Sequence, residues 1–285
     1  MENKIQSDLL ITTNGFKGTW PGIEYGAWMA STLGTRVTLL GVTEKLSPAQ
    51  IDDHHPLEDV FERAVGLFQA RGVEYSLEVR VGDAEYVIPE KAREGNFITA
   101  LTPLGRPMIR HWLTGRSIRH LMAEISGPIV YVPRARIPLK RILICIGGLG
   151  YEVTAEHLAV QMAVKCNAEI ALLHVVPPVD LDYPTAREVS KNWRHLIDTN
   201  TPPGRSLRQA VQTIEAAGLQ YTLRGRQGNV VEEIQAEIKE GEYDLLCMGS
   251  PYSGSALRQL YAPNVTAEVA ESAACPTLTA RFKKE

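Results

Sequence analysis

The order of apolar runs in this chain occurs twice, and that repeat limits the fold more than any other feature. "VGDAEYVI" (81–88) corresponds to "QGNVVEEI" (227–234), "SGPIVYV" (126–132) to "ACPTLTA" (274–280), and "TLLGV" (38–42) to "ALLHV" (171–175). Each pair lies about half a chain apart in a sequence of 285 residues. A period of that length signals a duplicated domain rather than one large core.

Within each copy, runs suited to strands alternate with runs suited to helices. The first copy opens with "DLLITT" (8–13), a strand-like apolar run. A helix follows at about 21–33, with Pro21 at its start and Gly34 just past its end. "RVTLLGV" (36–42) reads as a strand, and 56–72 places apolar residues at helical spacing. "VEYSLEVRV" (73–81) alternates like a strand. A helix at about 84–94, the strand "FITAL" (97–101), a helix near 116–126 and the strand "IVYV" (129–132) complete the copy.

"PRARIPLK" (133–140) reads as a linker, and the pattern restarts at "RILICI" (141–146). A helix at 153–167, the strand "EIALLHVV" (169–176), helical segments across 183–218, an extended run at 220–226, a helix at about 229–240, the strand "YDLLCM" (243–248), a helix near 265–274 and "PTLTA" (276–280) follow. Alternation of this kind predicts parallel sheets built from right-handed crossovers. Continuous apolar strands predict burial on both faces. The expected fold is α/β: two tandem doubly wound parallel-sheet domains, Rossmann-like, at 1–136 and 137–285.

In such sheets a ligand lies beyond the carboxyl ends of the strands, where strand order reverses. The segment after the fourth strand therefore draws attention. It reads "TPLGRPMIRHWLTGRS" (102–117), with Gly105 and Gly115 separated by nine residues and a helical run behind them. Glycine lets backbone N–H groups approach an anion closely, and a helix start adds its dipole. Arg106 and Arg110 supply charge for phosphate oxygens. No Walker pattern is present.

This loop, the "GPIVYV" after it and the "VTAEVAESAACPTL" of the second copy (265–278) resemble the universal stress protein family in a tandem two-domain form. That family's loop carries a glycine, two residues, a glycine, nine residues, then glycine and Ser or Thr. Here Thr102 stands at the first glycine, Gly105 and Gly115 match, and Arg116 or Ser117 takes the hydroxyl position. In the second copy Gly249 matches and the loop is one residue longer. It contains Gly254, and Pro263 with Asn264 replaces the glycine–hydroxyl pair ahead of Val265.

The resemblance implies an adenine-nucleotide-alpha-hydrolase-like fold and a nucleotide ligand, ATP with or without Mg. It implies that adenine sits against Thr12, Thr13 and Asn14 on the first strand and Val42 on the second. ATP-binding members usually carry Asp where Asn14 stands; Asn lacks the charge but can donate or accept. In the second copy "IGG" (146–148) takes that place without a polar side chain, and Val175 corresponds to Val42. The first copy is thus the better nucleotide candidate.

Plainer roles stand beside each of these. The glycines serve equally as turn residues, Asn14 as a turn starter, Ser117 as a helix cap, and the arginines as a solvated face. "DDHH" (52–55) offers no fourth metal ligand. "GGLG" (147–150) has the wrong spacing for a dinucleotide fingerprint, and His174 reads as a satisfied histidine. No nucleophile elbow or Ser-His-Asp order is visible, so no catalytic residue is assigned.

Thirty basic against thirty-three acidic residues give a net charge of −3, which argues against a nucleic-acid binder. The sequence shows neither a membrane span nor a signal peptide, and its four cysteines form no CxxC pair. These features predict a cytoplasmic protein with reduced thiols. Three functions remain open: a nucleotide-binding stress or signalling protein, a nucleotide-free scaffold of the same fold, and a slow ATPase or related enzyme. The last strand of each copy is a sheet edge by analogy, which predicts an internal pseudo-dimer or a homodimer, with an unidentified protein partner.

Overall fold

The computed structural model describes residues 7–43, 56–103, 118–148, 152–178, 184–250 and 265–281. The chain divides into two compact units, Met1–Ile137 and Pro138–Glu285.

The first unit contains strands β1 (Asp8–Thr13), β2 (Val37–Thr43), β3 (Tyr75–Val81), β4 (Phe97–Leu101) and β5 (Ile129–Tyr131). Its described helices are α1 (Trp20–Leu33), α2 (Pro56–Ala70), α3 (Ala84–Arg93) and α4 (Ile118–Glu124). The strand order is β3-β2-β1-β4-β5, and these neighbours all run parallel. Order reverses between β1 and β4, which is the topological switch point.

The centre of β1 is apolar because the strand has a neighbour on each side and helices over both faces: Leu9, Leu10 and Ile11 are fully buried. Helix α1 reaches the sheet closely through Gly26, where a Cβ would lie 2.5 Å from Ile11 Cδ1. It stops at Gly34, whose φ of 69° is the left-handed cap that glycine adopts without strain.

The second unit repeats this plan. Strands β6 (Arg141–Cys145), β7 (Glu169–Val176), β8 (Tyr221–Gln227), β9 (Leu245–Ser250) and β10 (Thr277–Arg281) are ordered β8-β7-β6-β9-β10, again parallel. Helices α5 (Val153–Cys166), α6 (Pro184–Lys191), α7 (Pro202–Ala216), α8 (Val230–Gly241) and α9 (Val265–Ser272) accompany them. Leu143, Leu173, Leu246, Ile234, Ile238 and Val269 form one core cluster between sheet and helices.

The doubly wound α/β fold expected from the repeat is the one observed. The helical stretch expected over 183–218 divides into α6, a 3₁₀ turn at Leu196–Asp198 and α7. The break falls where Thr201 caps α7 by accepting from Gly204 N, just ahead of Pro202 and Pro203.

Candidate functional site

At the carboxyl edge of the first unit, β1 lies between β2 and β4, so the residues that end these three strands converge. Thr12 is buried and donates through Oγ1 to Ala100 O of β4 at 3.2 Å. Thr13 Oγ1 lies 2.7 Å from Thr19 Oγ1 and accepts from Gly15 N. Because Thr19 Oγ1 donates to Phe16 O at 2.8 Å, the Thr13 hydroxyl is the donor of that pair. These bonds fold the segment after β1 into a tight corner around Gly15, whose φ is 82°.

Asn14 Oδ1 accepts from Phe16 N at 3.2 Å. Its carbonyl therefore starts a turn, as the plainer role expected, while Nδ2 donates to no atom among the described residues. Val42, near the end of β2, is buried. Thr102 follows β4 and is also buried. Its methyl fits a notch left by Gly22 of α1: a Cβ on Gly22 would fall inside the contact distance of Thr102 Cγ2. The bulk that threonine adds at a position where glycine was expected is thus absorbed by a second glycine. Gly105, Gly115, Arg116 and Ser117 lie outside the described residues, as do Arg106 and Arg110.

The second unit's edge has the same corner with different contents. Gly148, with φ of 80°, stands where Gly15 stands in the first unit. A Cβ on it would lie 2.8 Å from Pro203 Cα, so the start of α7 closes over this turn. Val175 is partly buried against the core. Gly249 is the last residue but one of β9, and its carbonyl accepts from Thr266 Oγ1 at 2.9 Å, one residue after Val265 opens α9. Gly254 and Asn264 lie outside the described residues, as do His54 and His55.

Gly147 and Gly148 bring no polar side chain to this edge, and the polar groups near it come from β7 and the start of α5. His174 on β7 is buried and places Nδ1 2.6 Å from Ile146 O. Burial lowers its pKa, and a neutral ring then donates from Nδ1 to that carbonyl. Glu152 and Glu156, just before and within the first turn of α5, are both buried, and Glu152 Oε2 lies 3.9 Å from the Cβ that Gly147 would carry. Burial, with Glu152 as a like-charged neighbour, pushes Glu156 up to about 7. Sequence reasoning missed both acids. The signal was present in two glutamates four apart, Glu152 just before α5 and Glu156 in its first turn.

A cavity of about 150 Å³ lined by Arg141, Glu169, Tyr221 and Tyr243 opens at the amino ends of β6 and β7, away from the carboxyl edge. The described residues contain no group of three His, Cys, Asp or Glu able to hold a metal ion. No described helix is long and apolar enough to cross a membrane.

The sequence profile of the universal stress protein family matches residues 138–281. No curated protein matches the chain. Among solved structures, a universal stress protein from Archaeoglobus fulgidus DSM 4304 aligns with a TM-score of 0.68 at 17% identity, covering 98% of this chain and 97% of that one. A protein described as functionally unknown from Pseudomonas aeruginosa PAO1 aligns with a TM-score of 0.62 at 13% identity, covering 98% and 94%. A universal stress protein described in complex with cAMP aligns at 19% identity with a TM-score of 0.38, covering 51% of this chain and 98% of that one.

Proposed function

The chain belongs to the universal stress protein family, and from that membership we propose that it is a stress-response or signalling protein whose first unit binds an adenine nucleotide. ATP is the nucleotide of this reading, with Mg arriving on its phosphates rather than on a protein metal cluster. The observation that carries the reading is the parallel register of β1 and β2, which pairs Thr13 with Gly41 and so sets Asn14 and Val42 next in line at the carboxyl ends of the two strands, beside the switch point between β1 and β4. With Oδ1 engaged by Phe16 N, the Asn14 amide offers Nδ2 as a donor. A donor there suits an acceptor nitrogen of a purine or a ribose oxygen, and Val42 supplies the apolar wall a base needs. The phosphates fall to the backbone amides of Gly105, Gly115, Arg116 and Ser117.

The second unit is the weaker site in this reading. Gly147 has no side chain where Asn14 stands, and Pro203 closes over Gly148. The nucleotide acts as a ligand that shifts the population of conformations seen by a protein partner, without turnover. Self-association as a homodimer and a cytoplasmic location belong to the same reading.

Mass spectrometry of denatured, freshly purified protein tests it. ATP or ADP is expected near one per chain, together with a thermal shift on adding MgATP that is lost in Gly115→Val. Steady phosphate release abolished by the same substitution would assign an ATPase instead.

The nucleotide-free scaffold is favoured by one specific feature. Thr12, Thr13 and the Asn14 carbonyl all bond within the protein itself. Protein that purifies empty and shows no thermal shift with ATP establishes that second reading.

A further inference from the structure

The outer strands of the two units are built to opposite ends. Strand β3 pairs with β2 on one side, and its other side has no partner among the described residues. On one face it exposes Leu77, Val79 and Val81, at 42%, 54% and 60% of their surfaces. On the other face Glu78 and Arg80 bond each other at 2.6 Å and reach Lys91 and Glu94 of the α3 end.

About Val79, this strand is complementary to itself. In an antiparallel pair of two copies with Val79 on the twofold axis, Leu77 faces Val81 and Glu78 faces Arg80, each in both directions. Strand β8 holds the corresponding place in the second unit and lacks this property. Centred on Gly225, it would set Arg224 against Arg226 of the copy, like charge on like. Gly225 is also covered by its own chain, since a Cβ there would lie 2.6 Å from Trp193 O. Natural sheets protect their edges with charge, and β8 carries like charge about its centre, with Trp193 lying over one of its faces. The charges of β3 attract their own reverse instead of repelling it, and no described segment covers its outer side.

We propose that two copies of this chain join through β3 in an antiparallel pair centred on Val79; this rests on the self-association included in the proposed function. Antiparallel strands on the rim of an otherwise parallel sheet are common. The junction would extend the first sheet across the axis and bring the three apolar side chains of each copy together. It would also merge the two Glu78–Arg80 pairs into one alternating row. The occupant is a second copy because the charge order of β3 is complementary to its own reverse.

Sedimentation velocity over a wide concentration range on the full chain, with three variants, decides the matter. Wild type is expected at twice the chain mass of 31.5 kDa. Val79→Lys sets two ammonium groups at the axis and is expected at the single-chain mass, with an unchanged circular dichroism spectrum. Leu223→Lys, on β8, is expected to stay at twice the chain mass. Val79→Cys is expected to give a covalent dimer under mild oxidation, where wild type gives none; this readout stands even should Val79→Lys fail to fold. A dimer that survives Val79→Lys, with no cross-link through Val79→Cys, overturns the β3 junction and leaves self-association intact. A wild-type chain at single mass throughout overturns both. A monomer whose β3 amides exchange slowly means that the chain covers its own edge, and equally overturns the junction.

Discussion

Replacing Gly22 by alanine probes how the first unit accommodates Thr102. Both positions are buried, and the new methyl would meet Thr102 Cγ2 inside contact distance. Carbon atoms in contact stand about 3.5–4.0 Å apart, so the threonine methyl must retreat by roughly an ångström or more. Overpacking of this kind costs about 1–3 kcal/mol. Alanine returns about 1 kcal/mol of helix propensity relative to glycine. With both residues buried the upper part of the range applies, and the net loss is about 2 kcal/mol. Tryptophan fluorescence during urea unfolding reads it, because Trp20 and Trp28 both lie in α1. A Trp193→Phe background removes the second unit's described tryptophan. The midpoint should fall by about 1 M for a urea dependence near 2 kcal/mol/M. Thr102→Ser removes Cγ2 and keeps the hydroxyl, so Gly22→Ala should cost little in that background. Should Gly22→Ala leave the midpoint unmoved, or cost as much in the Thr102→Ser background as with Thr102 intact, the notch argument fails.

Three further outcomes follow from buried charge and capping. The fold raises Glu156 from 4.5 to about 7, so the folded state holds the proton more tightly. Stability from this group is full below 4.5 and is lost as pH rises through about 7, by at most about 3 kcal/mol. Denaturation of Glu156→Gln across pH should show the slope flattened and the variant more stable than wild type above that window. Lowering of His174 acts in the other sense, withdrawing stability as pH falls below 6.5, and contributes to the acid limb in both proteins. Arg226 bonds Glu233, Glu237 and Glu240, and Glu237 is buried with Tyr243 Oη on its other oxygen. Arg226→Met should cost about 2–3 kcal/mol in chemical denaturation, because the buried carboxylate then keeps only Tyr243 and the more distant Arg224 Nε, at 3.8 Å, as partners among the described residues, whereas Arg36→Ala, at an exposed pair with Asp8, should leave the midpoint unchanged. Asn229 caps α8 by accepting from Val231 N and Glu232 N. Asn229→Ala should lower stability by about 1 kcal/mol in the same assay.

Much of the fold was legible because it is written in local runs. Buried strands such as β1 and β7 are built around apolar runs, at 9–11 and 170–173, and Pro21 and Gly34 bracket α1. The duplication supplied the topology that no single run could, since each copy constrains the other. The candidate edge was legible in position but not in content. Asn14, Val42 and Thr102 could be located by counting from strand ends. That Thr102 leans on Gly22, far earlier in the chain, is a packing relation with no trace in linear spacing. Glu152 and Glu156 were passed over because acids at a helix start ordinarily face water and favour the dipole. Here α7 and the turn after β6 cover that end of α5, and the exposure that the rule assumes is missing. Gly225 makes the same point from the other side: a glycine inside a strand marks close approach of another chain segment, here Trp193.

The register of β1 carries a consequence for how the protein is made. Its near neighbour β2 follows after one helix, yet its other side waits for β4, where Asp8 meets Phe97 much later in the chain. During synthesis, the six residues "DLLITT" therefore stand half-covered while a large part of the first unit is still being added. Refolding of that unit should be slow for its size, and a chaperone that grips short greasy segments would find its handle there.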